Sequence, residues 1–240
     1  SFPTGTVHLS PKHQNGARLK VLRSSASHPM DPIQFIFSLA VLIMSVVAHE
    51  VSHGYVANAL GDPTAKYAGR LTLNPLRHLD VMGSLIVPAM TFLFGGVVFG
   101  WAKPVPYNPY NLRGGKWGPA LVAVAGPATN ILLALVFGLL VRLSSSLPFL
   151  AALPPSFITI ASLVVLVNIL LAVFNCVPVP PLDGSKVLFA LLPYRYSFIQ
   201  EFLERNWFAI VLVFVFFLWQ LISPLVFILF SLITGIGFGL

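Results

Sequence analysis

The sequence predicts an all-α polytopic membrane protein, and three observations carry that expectation. Of 240 residues, 57% are hydrophobic and only 9% charged, against about 25% charged in an ordinary soluble domain. Mean hydropathy is +0.87, so a soluble fold lacks polar surface and intrinsic disorder is excluded. The apolar residues also fall in runs long enough to cross a hydrocarbon core of about 30 Å, separated by short loops rich in Pro and Gly. The excess of 14 Lys+Arg over 7 Asp+Glu suits loops facing an anionic lipid leaflet. The lipid bilayer is therefore an expected partner, and nucleic acid is not. The single cysteine, Cys176, excludes an intramolecular disulfide.

Residues 1–29 carry Lys12, Arg18, Lys20 and Arg23 and no acid. They lack the apolar core of a secretory signal. They read as a disordered basic N-terminal tail or an over-extended start, because Met30-Asp31-Pro32 looks like a natural beginning, with an organellar transit segment as the alternative. Residues 30–240 then form a single transmembrane domain. Its first apolar run, Ile33 to Leu60, contains Ala48-His49-Glu50-Val51-Ser52-His53-Gly54. At about 1.5 Å per residue, His49 lies roughly 24 Å from Ile33, inside the membrane.

The loop at 61–82 has turn signals at Gly61-Asp62-Pro63 and Asn74-Pro75. Partial alternation over Ala65 to Leu73 predicts a short membrane-associated β-hairpin or strand. A second run, Gly83 to Trp101, is marked by Pro88 and Gly95-Gly96, and a basic loop follows at 102–118. The third span, Pro119 to Val141, carries Gly126-Pro127-Ala128-Thr129-Asn130, and the fourth, Ser156 to Val177, carries Asn168. Next comes Asn175-Cys176-Val177-Pro178-Val179-Pro180-Pro181-Leu182-Asp183-Gly184. Its prolines cannot continue a helix, and non-helical backbone at membrane depth must be buried in protein or line a wet cavity. An amphipathic piece, Ser185 to Leu192, leads through a polar stretch to Trp207–Leu240, too long for one straight span. The expected total is five to six spans. No internal repeat is evident.

In so apolar a chain each ionisable group inside a run is expensive and needs a reason. His49, Glu50 and His53 read H-E-x-x-H. On a helix, residues four apart share a face, so both imidazoles can reach one Zn²⁺, with Glu50 beside them to take a proton from water. With six His in the chain, a chance match has a probability of about 0.2%. A catalytic zinc site wants a third protein ligand and an open position. His8, His13 and His28 lie in the tail and His78 in a loop. Glu201 and Glu204 precede the last run. Asp183 stands out as the only acid between Asp80 and Glu201, although an N-cap on the following helix is its alternative role.

AHEVSHG together with NCVPVPPLDG resembles the site-2 protease family of intramembrane zinc metalloproteases, the M50 peptidases. The second segment matches that family's N-x-x-P-x-x-x-L-D-G at Asn175, Pro178, Leu182, Asp183 and Gly184. GDPTAKYAGRLTLNPLRHLDVMGSL, FGWAKPVP and AGPATN resemble its compact bacterial branch, without a PDZ domain. The resemblance covers most of residues 31–192. It implies that Asp183 is the third ligand of one Zn²⁺ per chain, that Glu50 is the general base, and that the first, third and fourth spans form a three-helix catalytic core. It also implies that Asn130 and Asn175 lie near the site, orienting ligands or binding substrate backbone.

The expected function is hydrolysis of peptide bonds in or near transmembrane segments of membrane-protein substrates (regulated intramembrane proteolysis). The expected location is a bacterial plasma membrane, with an organellar membrane as the alternative. A strand at Ala65 to Leu73 would pair with unwound substrate. The competing readings are a zinc-dependent transporter and a non-catalytic membrane scaffold. Four residues receive structural readings: Asn168 as a helix–helix hydrogen bonder, Gly126-Pro127 as a bend or close packing point, His78 as an interfacial loop residue, and Cys176 as a small apolar filler.

Overall fold

A computed structural model describes residues 32–78, 80–95, 103–144, 146–147, 153–213 and 219–236. The chain divides after Ile36 into two units. Of the first, only the opening turn of helix α1 is described, and the basic tail lies outside the described residues. All contacts below belong to the second unit.

Helix α1 runs Pro32–Ala59, α2 Thr64–Tyr67 and α3 Val87–Gly95, the last preceded by a π-turn at Val81–Ile86. Helix α4 runs Trp117–Leu143, α5 Pro155–Asn175 and α6 Asp183–Leu191. Helices α7, α8 and α9 run Ser197–Arg205, Trp207–Val213 and Trp219–Thr234. The described residues contain no strand. Among the described residues, three helices are long and apolar enough to cross a membrane: Phe35–Ala59, Trp117–Leu143 and Pro155–Asn175. The second and last apolar runs fall partly outside the described residues, so the expected five to six spans reach beyond them.

The β-hairpin expected at Ala65 to Leu73 does not form. Asp62 turns its carboxylate onto the Thr64 amide and hydroxyl, which starts a helical turn at the point where alternation suggested a strand. That turn, α2, ends at Tyr67, and Gly69 two residues on has a φ of 63° that a side chain would resist. Asn74 then caps a 3-10 turn at Pro75–Arg77. Local side-chain capping overrides a weak period-2 pattern here.

Helices α4 and α5 pack on each other, α6 lies against α4, and α9 crosses both. Their shared core is Ala134, Val165, Ile169, Val226 and Phe230. Small residues set the approach: a Cβ on Gly138 would collide with Ile233 of α9. Lipid gives helices no hydrophobic reason to associate, so close packing of this kind and interhelical hydrogen bonds hold them together. The opposite face of α4 presents Leu121, Leu132, Leu135 and Leu139 outward, which is expected where the surroundings are acyl chains. Helix α1 meets α4 through an apolar cluster of Ala57, Leu112 and Val122 and through polar contacts, and the polar contacts form the site.

Candidate active site

His49 and His53 project from the same face of α1, and Asp183 begins α6. His49 Nε2 and His53 Nε2 are 3.0 Å apart. Asp183 Oδ2 lies 3.1 Å from the first and 3.3 Å from the second. These residues form a group able to hold a metal ion. Donors bound tetrahedrally at about 2.0–2.1 Å from one centre would be about 3.3 Å apart, so the observed triangle is of zinc-site size.

The hydrogen bonds behind the rings fix which atoms face that centre. His49 Nδ1 is 2.6 Å from Asn130 Oδ1, and His53 Nδ1 is 2.7 Å from the Val122 carbonyl. Both partners only accept, so both Nδ1 atoms carry a proton, and in the neutral imidazoles both Nε2 atoms present lone pairs. In that state three lone-pair donors converge on one point. Asp183 Oδ2 is correspondingly buried without a hydrogen-bond donor. An orphaned carboxylate oxygen facing two imidazole lone pairs is unfavourable unless a cation lies there. The donor set of two imidazoles and one carboxylate suits Zn²⁺ and leaves a fourth position open.

Several local features bring the three residues together. On α4, a Cβ at Gly126 would lie 2.6 Å from both His49 Nε2 and His53 Cε1. The expected close packing point is therefore against the two rings. The adjacent Pro127 lacks the N–H that would bond the Ala123 carbonyl, one residue from the Val122 carbonyl that accepts from His53. At the start of α6, a Cβ at Gly184 would lie 2.5 Å from the Val177 carbonyl. Only glycine lets the proline-rich break fold back closely enough to deliver Asp183. Leu182 occupies the N-cap position and Asp183 the first helical turn, so the N-cap role does not apply.

A buried amide network backs the rings. Asn130 Nδ2 donates to Asn168 Oδ1 at 2.8 Å and to the Ser45 carbonyl at 3.4 Å. Asn168 Nδ2 donates to Ser45 Oγ at 2.9 Å. Asn130 and Asn168 are fully buried, and the network ties α1, α4 and α5 at the metal face. Asn168 is thus a helix–helix hydrogen bonder as expected, but one that reaches His49 through Asn130. Ser45 was not singled out from the sequence, although its place four residues before His49 puts it on the same helix face.

Glu50 Oε2 accepts the Val105 N–H at 2.9 Å. No spacing in the sequence announces that bond. Asn175 Nδ2 donates to the Leu171 carbonyl of its own helix, and the residue lines a cavity of about 450 Å³ beside Asp183. Ala123, Pro127, Ala128 and Val187 give that cavity mostly apolar walls. Glu201 and Glu204 are exposed on α7, away from the cluster of metal-ligating atoms.

His78, expected as an interfacial loop residue, lies in that loop and is fully buried, with Nε2 donating to the Thr72 carbonyl. One expectation is corrected. Cys176 is not a core filler: it is exposed at the C-terminal end of α5, where the helix stops short of the proline run, and it lines the cavity.

Fold and site together define a protein of apolar helices with a His-His-Asp group that could hold a metal ion, its two histidines carried on a candidate membrane span. The family model described as peptidase family M50 matches residues 150–218. "Putative zinc metalloprotease YwhC" of Bacillus subtilis is 39% identical over 159 residues, covering 65% of this chain and 69% of that protein. "Putative zinc metalloprotease Rip2" of Mycolicibacterium smegmatis is 31% identical over 164 residues, covering 64% of this chain and 56% of that protein. A relative of Methanocaldococcus jannaschii, described in the same words, is 31% identical over 163 residues, 63% of this chain and 72% of its own length. No solved structure matches significantly. The chain belongs to peptidase family M50 and is a zinc metallopeptidase of the membrane.

Proposed function

We propose that this protein hydrolyses peptide bonds in or near transmembrane segments of membrane-protein substrates, using one zinc per chain held by His49, His53 and Asp183. The observation that carries the reading is the convergence of three lone-pair donors at 3.0–3.3 Å on a helix of membrane-spanning length and composition. Bound zinc supplies a Lewis acid that polarises a carbonyl and lowers the pKa of water.

The remaining chemistry belongs to the chain. Glu50 is the general base: its carboxylate takes the proton of the attacking water and returns it to the leaving amine. The Val105 N–H holds Oε2, which leaves Oε1 to exchange that proton. Asn130 fixes the His49 ring and its tautomer. The apolar cavity between α4 and α6 receives substrate side chains, and Asn175 on its wall binds substrate backbone. A substrate helix must open first, since its carbonyls are already hydrogen-bonded. Strand pairing with residues 65–73 has no strand to rest on.

The wider setting follows the same reading: a domain over residues 30–240 with five to six spans, behind a basic tail at 1–29, in a bacterial plasma membrane and acting in regulated intramembrane proteolysis. Transport and scaffolding gain no support. Among the described residues the metal-ligating side chains converge on one point, and they do not line a path. The test is cleavage of a transmembrane peptide by the purified protein before chelation, after chelation and after zinc is restored. Loss and recovery are expected, and cleavage that survives zinc removal overturns the reading.

A further inference from the structure

The carboxylate of Asp62 is fully buried, yet it lies outside the metal cluster and the cavity. Four hydrogen bonds surround it. Oδ1 accepts from the Thr64 hydroxyl at 2.6 Å, the Thr64 N–H at 3.3 Å and Asn111 Nδ2 at 3.0 Å. Oδ2 accepts the Asn108 N–H at 2.7 Å. Two of these donors belong to the loop at 103–113, and that loop supplies the Val105 N–H to Glu50.

The loop is fixed at further points. Arg113 N–H donates to the Leu60 carbonyl at 2.8 Å, and Lys103 N–H to the His78 carbonyl at 2.8 Å. Leu112 packs with Ala57 and Val122, and Tyr107 packs against that cluster. Val105 itself is buried against α1, where a Cβ on Gly54 would lie 2.9 Å from its side chain. Between the bond to Glu50 and the bond to Asp62 lie only Pro106 and Tyr107, and Pro106 has a fixed φ. A shift of Asn108 is therefore carried directly to Val105.

We propose that Asp62 is a positioning residue for the reaction: it clasps the 103–113 loop to the end of α1 and so sets the direction in which Val105 N–H holds the Glu50 carboxylate. The inference rests on Glu50 as general base. Asp62 touches neither substrate nor metal ligands. It acts through three residues of backbone, and a misplacement of about 1 Å at a reacting group can cost about 100-fold in rate.

The test compares Asp62→Asn, Asn111→Ala and Asn74→Ala in the full chain. Asp62→Asn is isosteric and sets an amide N–H₂ against the Asn108 N–H, or else against Thr64 and Asn111 if it flips. Asn111→Ala removes one loop-side bond and leaves the carboxylate. Asn74→Ala breaks only the exposed 3-10 cap and serves as the control. We expect kcat per bound zinc to fall about 10- to 100-fold in Asp62→Asn and less in Asn111→Ala. KM and zinc content stay near wild type, and Asn74→Ala keeps its kcat. Exchange of the Val105 amide should quicken in the first two variants only, which reads the clasp without using activity. Unchanged kcat per zinc, or unchanged Val105 exchange, overturns the inference. Glu50→Gln is run in parallel: retained cleavage there removes the general-base reading, a failure distinct from a silent Asp62→Asn.

Discussion

Asn130 Oδ1 accepts the Nδ1 proton of His49 at 2.6 Å, and the orientation of that amide is fixed by its donation to Asn168 at 2.8 Å. The bond leaves His49 Nε2 as a lone-pair donor. Asn130→Ala should weaken zinc binding by about 10- to 100-fold, read by competition with a chelator. Asn168→Ala should give a smaller loss in the same assay, because it acts on His49 only through Asn130. A larger loss in Asn168→Ala would reverse that order and sink the relay.

Removal of Asp183 separates the ligand role from a structural one. Asp183→Ala should lower zinc affinity steeply while α6 still forms, since Asp183 is not its N-cap residue and the Ser185 hydroxyl donates to the Leu182 carbonyl at 2.7 Å. Zinc content at a fixed free-metal level, with helicity by circular dichroism, checks both parts.

Two glycines on α4 predict opposite consequences. Gly126→Ala drives a methyl group into the His49 and His53 rings, whereas Gly138→Ala drives one into Ile233. The first should lose zinc. The second should lower thermal stability by about 1–3 kcal/mol, as overpacking does, with zinc content near wild type.

Asp62 also predicts a pH dependence. Burial alone would raise its carboxyl, but hydrogen bonds from Thr64, Asn111 and Asn108 outweigh burial and hold it below the usual carboxylate value. A depressed folded-state pKa contributes stability above the unfolded value of about 3.9. That contribution is lost as pH falls through the folded value. Wild type should therefore lose stability below about pH 4 more steeply than Asp62→Asn, measured by thermal melts across that range. Parallel curves would contradict it.

The cavity beside Asp183 predicts substrate choice. Ala128→Phe should fill part of the 450 Å³ space and lower kcat/KM for peptides with large apolar residues near the cleaved bond, with zinc content preserved. Equal losses for large and small residues would detach the cavity from the substrate.

The His49, His53 and Asp183 group that could hold a metal was legible because charge is scarce. His49, Glu50 and His53 sit in an apolar run, and Asp183 stands alone at a break, so the expense of each pointed to a use. The long helices followed from the same scarcity. What stayed hidden depends on tertiary approach. The Val105 N–H reaches Glu50 from 55 residues away in sequence, and backbone donors leave no mark in side-chain patterns. The 65–73 segment was misread because Asp62 captures the chain before a weak alternation can act.

The proposed division of labour, in which Glu50 moves the proton while His49, His53 and Asp183 hold the metal, is tested by zinc content and cleavage measured together on wild type and Glu50→Gln, purified in the same detergent. One zinc per chain is expected in both proteins, with cleavage of a transmembrane peptide by wild type alone. A Glu50→Gln protein that still cleaves at a comparable rate with zinc bound would contradict it.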